Sequence, residues 1–193
     1  MFSNLCVFTG PMFSGKTESL LKEILWSSFF VNDLASQPRC LVLKPAMDVR
    51  YANDEIVSHA GARAAATPVR SLDGVDFTQY DRVFIDEMQF FDAPHVEGDL
   101  VAEVRRALIE GVKVYASGLD LDYRGEPFRV SADMIAMAGD VRRMSSCCDL
   151  CGADAQFTAR FSASRSRVDL GAGESYKALC QRHWIGHVRA QGV

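Results

Sequence analysis

A short glycine-rich stretch, GPMFSGKT at residues 10–17, carries the residue types that bind phosphate groups. It matches the pattern G-x-x-x-x-G-K-[ST], in which glycines let the backbone wrap so that its N–H groups point at phosphate oxygens. Lys16 would offer a positive charge to the outer phosphates, and Thr17 would offer a hydroxyl to Mg²⁺. The alternative is a plain glycine turn with an exposed lysine. An apolar strand before the stretch and a helical pattern after it favour phosphate binding.

Two adjacent carboxylates, Asp86 and Glu87, follow the apolar stretch RVFI at residues 82–85. A phosphate-binding loop needs an acid at the end of a neighbouring strand to hold Mg²⁺, and Asp86 stands in that place. Its alternative role is to cap a helix or a turn. Glu87 would either activate water, as in ATPases, or accept the proton of an acceptor hydroxyl, as in a kinase. Alternation along an extended chain predicts that the two side chains point in different directions.

Four residues of metal-binding type near the carboxyl end form two pairs, Cys148 with Cys151 and Cys180 with His183. Two residues separate the members of each pair, which is the spacing of tetrahedral zinc sites. Four protein ligands complete the coordination, so the zinc would be structural. It would close the base of the 28-residue insertion between Cys151 and Cys180. The alternatives are Cys147 for Cys148, His187 for His183, or thiols that are merely buried or redox-active.

Hydrophobic periodicity predicts the elements that must position these groups. Apolar runs predict strands at 4–10, 39–45, 82–85 and 112–118, and helical spacing predicts helices at 16–30, 94–110 and 131–139. The stretch 46–70 has no clear period and is predicted to be irregular. Strands that alternate with helices predict an α/β fold with a mostly parallel sheet. A change of composition near residue 145 predicts a domain boundary there, and the motifs make residues 1–144 a nucleotide-binding domain and residues 145–193 a zinc domain.

Composition and charge narrow the class of protein. The chain has 193 residues, with 21 basic and 25 acidic side chains and a net charge of −4. This balance argues against a protein that coats nucleic acid, because phosphate binding on that scale needs a basic surface. No apolar run approaches the roughly 18 residues that cross a bilayer, and the first residues lack a signal-peptide pattern. A cytoplasmic location is therefore expected, with the six cysteines as thiols or metal ligands.

Taken together, these motifs resemble those of the type II thymidine kinases, the cytosolic family that contains zinc. The shared segments, in the same order, are GPMFSGKT (10–17), KPAMDVRY (44–51), SHAGA (58–62), DEMQFF (86–91), GLDLDYRGEPF (118–128), CDLC with AQFTAR (148–160) and YKALCQRHW (176–184). The resemblance implies ATP-dependent transfer of the γ-phosphoryl group to the 5′-hydroxyl of thymidine, in pyrimidine deoxynucleoside salvage. It also implies a RecA-like P-loop core, a small ribbon-like zinc domain with an inserted lid, and a homotetramer without nucleic-acid or membrane partners.

The resemblance assigns roles residue by residue. Binding of ATP and Mg²⁺ falls to Gly10, Pro11, Met12, Phe13, Ser14, Gly15, Lys16, Thr17, Asp48, Val49, Arg50, Asp86, Glu87, Met88 and Gln89. The catalytic residues would be Glu87 as base, Lys16, and Arg50 as a cation in the transition state. Thymidine would contact Met12, Phe90, Leu119, Tyr123, Phe128, Thr158, Arg167, Val168, Asp169, Leu170, Gly171 and Tyr176, with residues 167–171 in a lid over the base.

Three positions differ from what the resemblance leads us to expect. Met88 stands where the family commonly has Gly or Ala, so a larger side chain is expected near the phosphates. Tyr123 stands where phenylalanine is usual, and Asp169 is polar where an apolar residue would line the base. Thymidine is still the expected substrate, with deoxyuridine or a broader pyrimidine range as alternatives. Two other functions stay open: a RecA-like ATPase acting on nucleic acid, and a zinc-ribbon binding module with a degenerate phosphate loop.

Overall fold

A computed structural model describes residues 1–29, 37–47, 54–58, 61–162, 166–167 and 175–191. The strands are, in chain order, β1 (Phe2–Thr9), β2 (Cys40–Pro45), β3 (Glu55–Val57), β4 (Arg63–Ala65), β5 (Thr67–Val69), β6 (Arg82–Ile85), β7 (Lys113–Gly118), β8 (Ala138–Arg143), β9 (Ser146–Cys147), β10 (Asp154–Ala155), β11 (Phe157–Arg160) and β12 (Tyr176–Leu179). The helices are α1 (Lys16–Phe29), α2 (Leu100–Ile109), α3 (Arg129–Met137) and α4 (Gln181–Gln191), with 3-10 turns at Phe77–Gln79 and Met88–Phe90.

A six-stranded sheet in the order β5-β2-β6-β7-β1-β8 forms the centre of the fold. All five neighbouring pairs are parallel. This confirms the predicted α/β class with a mostly parallel sheet. Parallel strands need crossover connections, and helices supply most of them here. No described helix is both long and apolar enough to span a bilayer.

Helices cover both faces of the sheet, which explains why its central strands are mostly apolar. One buried cluster joins Leu5 and Val7 of β1 to residues of α2 and α3. A second buried cluster joins Cys6 and Phe8 of the same strand to residues of α1. Successive side chains of a strand point to opposite faces, so alternate residues of β1 serve the two layers.

The carboxyl ends of three adjacent strands place the chemical groups at one edge of the sheet. Thr9 at the end of β1 pairs with Gly118 at the end of β7, and Ile85 at the end of β6 pairs with Ala116 of β7. The glycine-rich stretch follows β1 and the two acids follow β6. Parallel pairing therefore brings these two segments to the same edge, although about 70 residues separate them in the chain.

The prediction for residues 46–70 is wrong, and a further strand was missed. The stretch 46–70, predicted to be irregular, contains β3, β4 and β5, and β5 extends the central sheet beside β2. Each of these strands has only three residues, too few for a period-2 pattern to show. β8, which no pattern predicted, forms the opposite edge of the sheet beside β1.

The helix predicted at 94–110 begins at Leu100 instead. Asp99 caps this helix, because its side chain accepts a hydrogen bond from the amide of Ala102 at 3.1 Å. Gly98, at φ +103°, has a backbone conformation that does not continue into a helix. The residues before it form turns, with a cis peptide bond at Ala93–Pro94.

The described residues after β8 form two antiparallel pairs of short strands and a helix. β9 pairs with β10, β11 pairs with β12, and both pairs are antiparallel. Their small apolar core consists of Cys148, Ala155, Ala159, Ala178 and Leu179, with Cys180 and Trp184 packed against it. The predicted division into domains at residue 144 falls one residue after β8, the last strand of the central sheet, and it stays a prediction.

Candidate active site

The glycine-rich stretch forms a tight loop between β1 and α1. Three of its residues have positive φ angles: Gly10 at 141°, Phe13 at 65° and Gly15 at 79°. A Cβ atom on Gly10 would collide with the carbonyl oxygen of Met144, so only glycine fits there. The loop is held against the end of β8, because the amide of Met144 donates to the carbonyl of Thr9 at 2.8 Å.

Lys16 lies at the first position of α1, where its ammonium group turns back onto the loop. Its Nζ donates to the carbonyl of Pro11 at 2.5 Å and approaches Ser14 Oγ at 3.4 Å. Ser14 is buried and also donates to the Pro11 carbonyl, at 2.8 Å. A positive charge and the amino end of a helix thus meet within one loop, which is an arrangement that attracts phosphate.

Asp86 lies beside Thr17, as the two motifs predicted. The carboxylate of Asp86 is 5% exposed and accepts hydrogen bonds from the hydroxyls of Thr17, at 3.3 Å, and Ser117. Ser117 is the residue before the end of β7, and sequence reasoning missed it because no local pattern distinguishes it. Carboxylate and hydroxyl oxygens are hard ligands, so this pair of side chains fits Mg²⁺.

Glu87 leaves the line of β6 in a left-handed backbone conformation, with φ 53° and ψ 44°. This conformation is uncommon for a residue other than glycine. Glu87 Oε2 accepts a hydrogen bond from Gln89 Nε2 at 2.5 Å, and Gln89 Oε1 accepts one from the amide of Leu119 at 2.9 Å. The two acids do have different partners. The predicted reason, alternation along an extended chain, is wrong, because the backbone turns at Glu87.

The side chain of Met88 lies in the core and has no exposed surface. A Cβ atom on Gly118 would lie 2.7 Å from Met88 Cγ and would also collide with Gln89 Oε1. The absence of a side chain at Gly118 therefore lets Met88 and Gln89 pack against the end of β7. The expectation that Met88 adds bulk near the phosphates is not met by its side chain, which points into the core.

Several residues predicted to contact a nucleoside are brought close to the loop and to one another. The amide of Met12 donates to Thr158 Oγ1 at 3.0 Å, which joins the loop to β11. The ring of Phe90 meets the ring of Phe128 edge to face at 6.4 Å, and it meets the ring of His95 at 5.6 Å. Aromatic rings packed together in this way form a surface suited to a flat base.

The segment of residues 119–128, here called the aromatic loop, is held by arginines from the chain after β8. Arg167 donates to Asp122 Oδ2 and to the carbonyl of Pro127, both at 2.9 Å. Its guanidinium lies 4.7 Å from the centre of the Phe128 ring. Arg160, at 2% exposure, lies 3.7 Å from the centre of the Tyr123 ring. Arg167 was predicted to contact substrate, whereas its described contacts are with this loop.

Other predicted residues are placed as follows. Leu119 begins the aromatic loop, and Tyr176 begins β12, where it pairs with Arg160 of β11. Asp48, Val49, Arg50, Val168, Asp169, Leu170 and Gly171 lie outside the described residues, so their roles stay predictions.

The ligand atoms of Cys148, Cys151, Cys180 and His183 all lie within 4.8 Å of one another. His183 Nδ1 is 3.5 Å from Cys148 Sγ and 3.4 Å from Cys180 Sγ, and Cys151 Sγ is 3.9 Å from Cys180 Sγ. Tetrahedral zinc would place two sulfurs about 3.8 Å apart, and a sulfur and a nitrogen about 3.6 Å apart. These residues, called the Cys/His cluster below, therefore fit a structural zinc ion.

Local interactions favour the ligand form of Cys148 and exclude both alternative ligands. Burial acts to raise the pKa of the Cys148 thiol, but hydrogen bonds from the amides of Cys180 and Leu150 and from His183 lower it to about 6. The thiolate is the form that binds metal. Cys147 is exposed, and His187 Nε2 instead contacts the carbonyl of Arg160 at 2.9 Å, so neither belongs to the cluster.

Comparison with known families decides what kind of protein this geometry belongs to. The family model described as thymidine kinase matches residues 3–184, which is most of the chain. The chain belongs to the thymidine kinase family. Members of this family are kinases, so the protein is an enzyme of the transferase class.

Individual thymidine kinases agree with the family match over most of their length. One from Pyrobaculum aerophilum is 36% identical over 193 residues, covering 94% of this chain and 98% of its own. One from Pseudothermotoga lettingae is 33% identical, covering 94% of each chain. One from Bacteroides thetaiotaomicron is 34% identical, covering 96% of this chain and 87% of its own.

Two residues that contact the aromatic loop in this member of the thymidine kinase family were not functional candidates in the sequence analysis. Arg160 and Trp184 occur in the quoted segments AQFTAR and YKALCQRHW, but neither has a spacing that signals a role. Both act on the aromatic loop, which lies more than thirty residues earlier in the chain. A local pattern carries no information on contacts over that separation.

Proposed function

We propose that this protein transfers the γ-phosphoryl group of ATP to the 5′-hydroxyl of thymidine, giving thymidine monophosphate and ADP. Membership of the thymidine kinase family supports the nucleoside. One geometric observation carries the phosphoryl-transfer part: two adjacent acids, Asp86 and Glu87, have separate partners beside the phosphate-binding loop. Asp86 accepts a hydrogen bond from Thr17 of the loop, and Glu87 accepts one from Gln89.

The residues of the loop would bind the triphosphate. Backbone N–H groups of the loop, to which Pro11 contributes none, and the ammonium of Lys16 offset its negative charge, with Lys16 exchanging its contact with the Pro11 carbonyl for phosphate oxygens. Thr17 and Asp86 would hold Mg²⁺, which supplies further charge compensation when bound. Phosphoryl transfer depends mainly on such positioning and charge compensation.

Glu87 is proposed as the general base. The 5′-hydroxyl oxygen forms a bond to the γ-phosphorus, the bond from the γ-phosphorus to the bridging oxygen breaks, and ADP leaves. The hydroxyl proton passes to the Glu87 carboxylate, which the amide of Gln89 holds in place. Arg50 is proposed as the cation that stabilises the transferring group.

Thymidine is proposed to lie beside the loop, against side chains brought together from the central sheet and from the chain after β8. The described candidates are Met12, Phe90, Leu119, Tyr123, Phe128, Thr158 and Tyr176. The contact between Met12 and Thr158 supports this, because it joins the phosphate-binding loop to β11, whose partner strand β12 begins with Tyr176. We also propose a cytoplasmic salvage role, a homotetramer, and a separate domain from residue 145 onward. A RecA-like ATPase acting on nucleic acid is not favoured by the family match.

A phosphorylation assay across deoxynucleosides tests the function. With ATP and Mg²⁺, thymidine is expected to give the fastest formation of monophosphate and ADP in equal amounts, followed by deoxyuridine. Chromatography of both products measures this, and single-stranded DNA is the control activator. The proposal fails if no pyrimidine deoxynucleoside is phosphorylated, or if ADP forms only when DNA is added.

Substitution of two adjacent cysteines tests the metal site. Cys148→Ser is expected to lower bound zinc from about one ion per chain to near zero, because the site loses one of four ligands. Cys147→Ser is the matched control and is expected to keep full zinc, since its side chain lies outside the Cys/His cluster. Elemental analysis of both purified variants measures the difference. Equal zinc loss in both variants, or in neither, would contradict the assignment.

A further inference from the structure

The indole of Trp184 joins the Cys/His cluster to the aromatic loop. Trp184 Nε1 donates a hydrogen bond to the carbonyl of Tyr123 at 3.1 Å. Its ring lies against Gly125, where an added Cβ atom would come within 2.7 Å of the indole. The indole also stacks on the ring of Phe157 in β11, with centroids 4.4 Å apart and 16° between the planes. Trp184 therefore fits into the turn of the aromatic loop.

The position of Trp184 depends on the cluster rather than on the central sheet. It follows His183 directly in the first turn of α4, and its amide donates to the carbonyl of Cys180 at 2.9 Å. It also packs against the small apolar core that contains Cys148. Three of the four cluster residues thus adjoin Trp184. His183 precedes it in the chain, Cys180 accepts its amide hydrogen bond, and Cys148 belongs to the apolar core against which it packs.

The part of the aromatic loop that Trp184 contacts is a compact turn. Asp122 Oδ1 accepts hydrogen bonds from the amides of Arg124, at 2.9 Å, and Glu126, at 3.0 Å. The amide of Asp122 donates a hydrogen bond to the carbonyl of Glu126, and the amide of Gly125 donates one to the carbonyl of Asp122. A turn closed by four hydrogen bonds moves as a unit, so a shift of the indole also shifts Tyr123.

We propose that Trp184 is a positioning residue. Anchored beside the Cys/His cluster, it holds the aromatic loop in the conformation that binds thymidine. The proposal rests on the proposed function, since the loop bears on thymidine only if Tyr123 and Phe128 border the nucleoside. The contacts of Trp184 described above are with Tyr123, Gly125, Phe157 and Cys180, none of which is proposed to bind phosphate or to act as the base. Its loss is therefore expected to weaken thymidine binding and to leave the chemical step and ATP binding in place.

Trp184→Phe keeps an aromatic ring but removes the N–H donor. We expect the KM and Kd for thymidine to rise about fivefold, the effect of one lost neutral hydrogen bond. The kcat at saturating thymidine and the KM for ATP should stay within about twofold. Trp184→Ala also removes the stack on Phe157 and should raise the thymidine KM by a further factor of about five. Steady-state kinetics and calorimetric titration measure both variants.

The matched control is Trp26→Phe, the same substitution at the only other tryptophan of the sequence. Trp26 is 66% exposed on α1, and its replacement should leave both KM values unchanged. This variant also leaves Trp184 as the sole tryptophan. Removal of the metal with a chelator should then shift the Trp184 emission and weaken thymidine binding together. In Trp184→Ala, the same treatment should weaken thymidine binding by a smaller factor.

Hydrogen exchange separates this proposal from the proposed function. In Trp184→Phe, the amides of Arg124, Gly125 and Glu126 should exchange faster than in the unmodified protein, with zinc content unchanged. A protein that phosphorylates no nucleoside contradicts the proposed function, while faster exchange would still establish the contact. Unchanged thymidine affinity in an active Trp184→Phe enzyme overturns the proposal, whatever the exchange shows. An equal rise in the KM values for thymidine and ATP overturns it as well.

Discussion

Replacement of Glu87 by glutamine is expected to lower kcat for thymidine phosphorylation by about 10²–10⁴-fold, the contribution of a general base. Glutamine has nearly the same shape, and its carbonyl oxygen can still accept the hydrogen bond from Gln89 Nε2. It cannot take up the hydroxyl proton. The left-handed backbone at position 87 is as accessible to glutamine as to glutamate, so the fold should be unchanged.

The measurement compares steady-state kcat with the Kd for a non-hydrolysable ATP analogue, which should stay within about twofold. Glu110→Gln is the matched control, because Glu110 is an exposed carboxylate at the end of α2, remote from the loop. The control should keep full activity. A Glu87→Gln enzyme with near-normal kcat would rule out the base assignment, and loss of ATP binding would show that Glu87 serves the nucleotide instead.

Replacement of Asp86 by asparagine is expected to raise the Mg²⁺ concentration for half-maximal activity by about 10- to 100-fold. Asparagine can still accept a hydrogen bond from the hydroxyl of Ser117 or Thr17, which preserves the local geometry. It removes the negative charge that a hard cation requires. Unlike Glu87→Gln, this variant should recover part of its activity at high Mg²⁺.

A Mg²⁺ titration at fixed ATP and thymidine measures this shift. The control is Asp81→Asn, just before the same strand, where the carboxylate pairs with Arg39 at the surface. Exposed ion pairs contribute little to stability, so the control should bind Mg²⁺ and fold normally. An unchanged Mg²⁺ requirement in Asp86→Asn would place the ion elsewhere. Recovery of activity at high Mg²⁺ in Asp86→Asn but not in Glu87→Gln would establish that the two adjacent acids have separate roles.

The sequence alone determined those features whose signal is local. Residues 10–17 form the expected loop between a strand and a helix, because two glycines with positive φ angles and a helix start are encoded within eight residues. The strand at 82–85 was predicted to the residue, since a buried strand of a parallel sheet is a continuous apolar run. The Cys/His cluster was predicted from two pairs with fixed spacing, and the pairs meet in space.

Only the tertiary structure decided features that depend on contacts between distant residues. The edge strands β5 and β8 are formed by pairing with β2 and β1, because their own residues have no marked strand pattern. Met88 is buried because Gly118 of another strand makes room for it, so its type alone could not show which way it points.

The same reason applies to the site. Glu87 differs from Asp86 through one left-handed residue and a hydrogen bond to Gln89, where the sequence shows only two neighbouring acids. Trp184 contacts a turn that lies about sixty residues earlier in the chain. Residue type and spacing determined which chemical groups are present. Packing between distant segments determined which of those groups meet, because burial and hydrogen bonding are satisfied only in the folded chain.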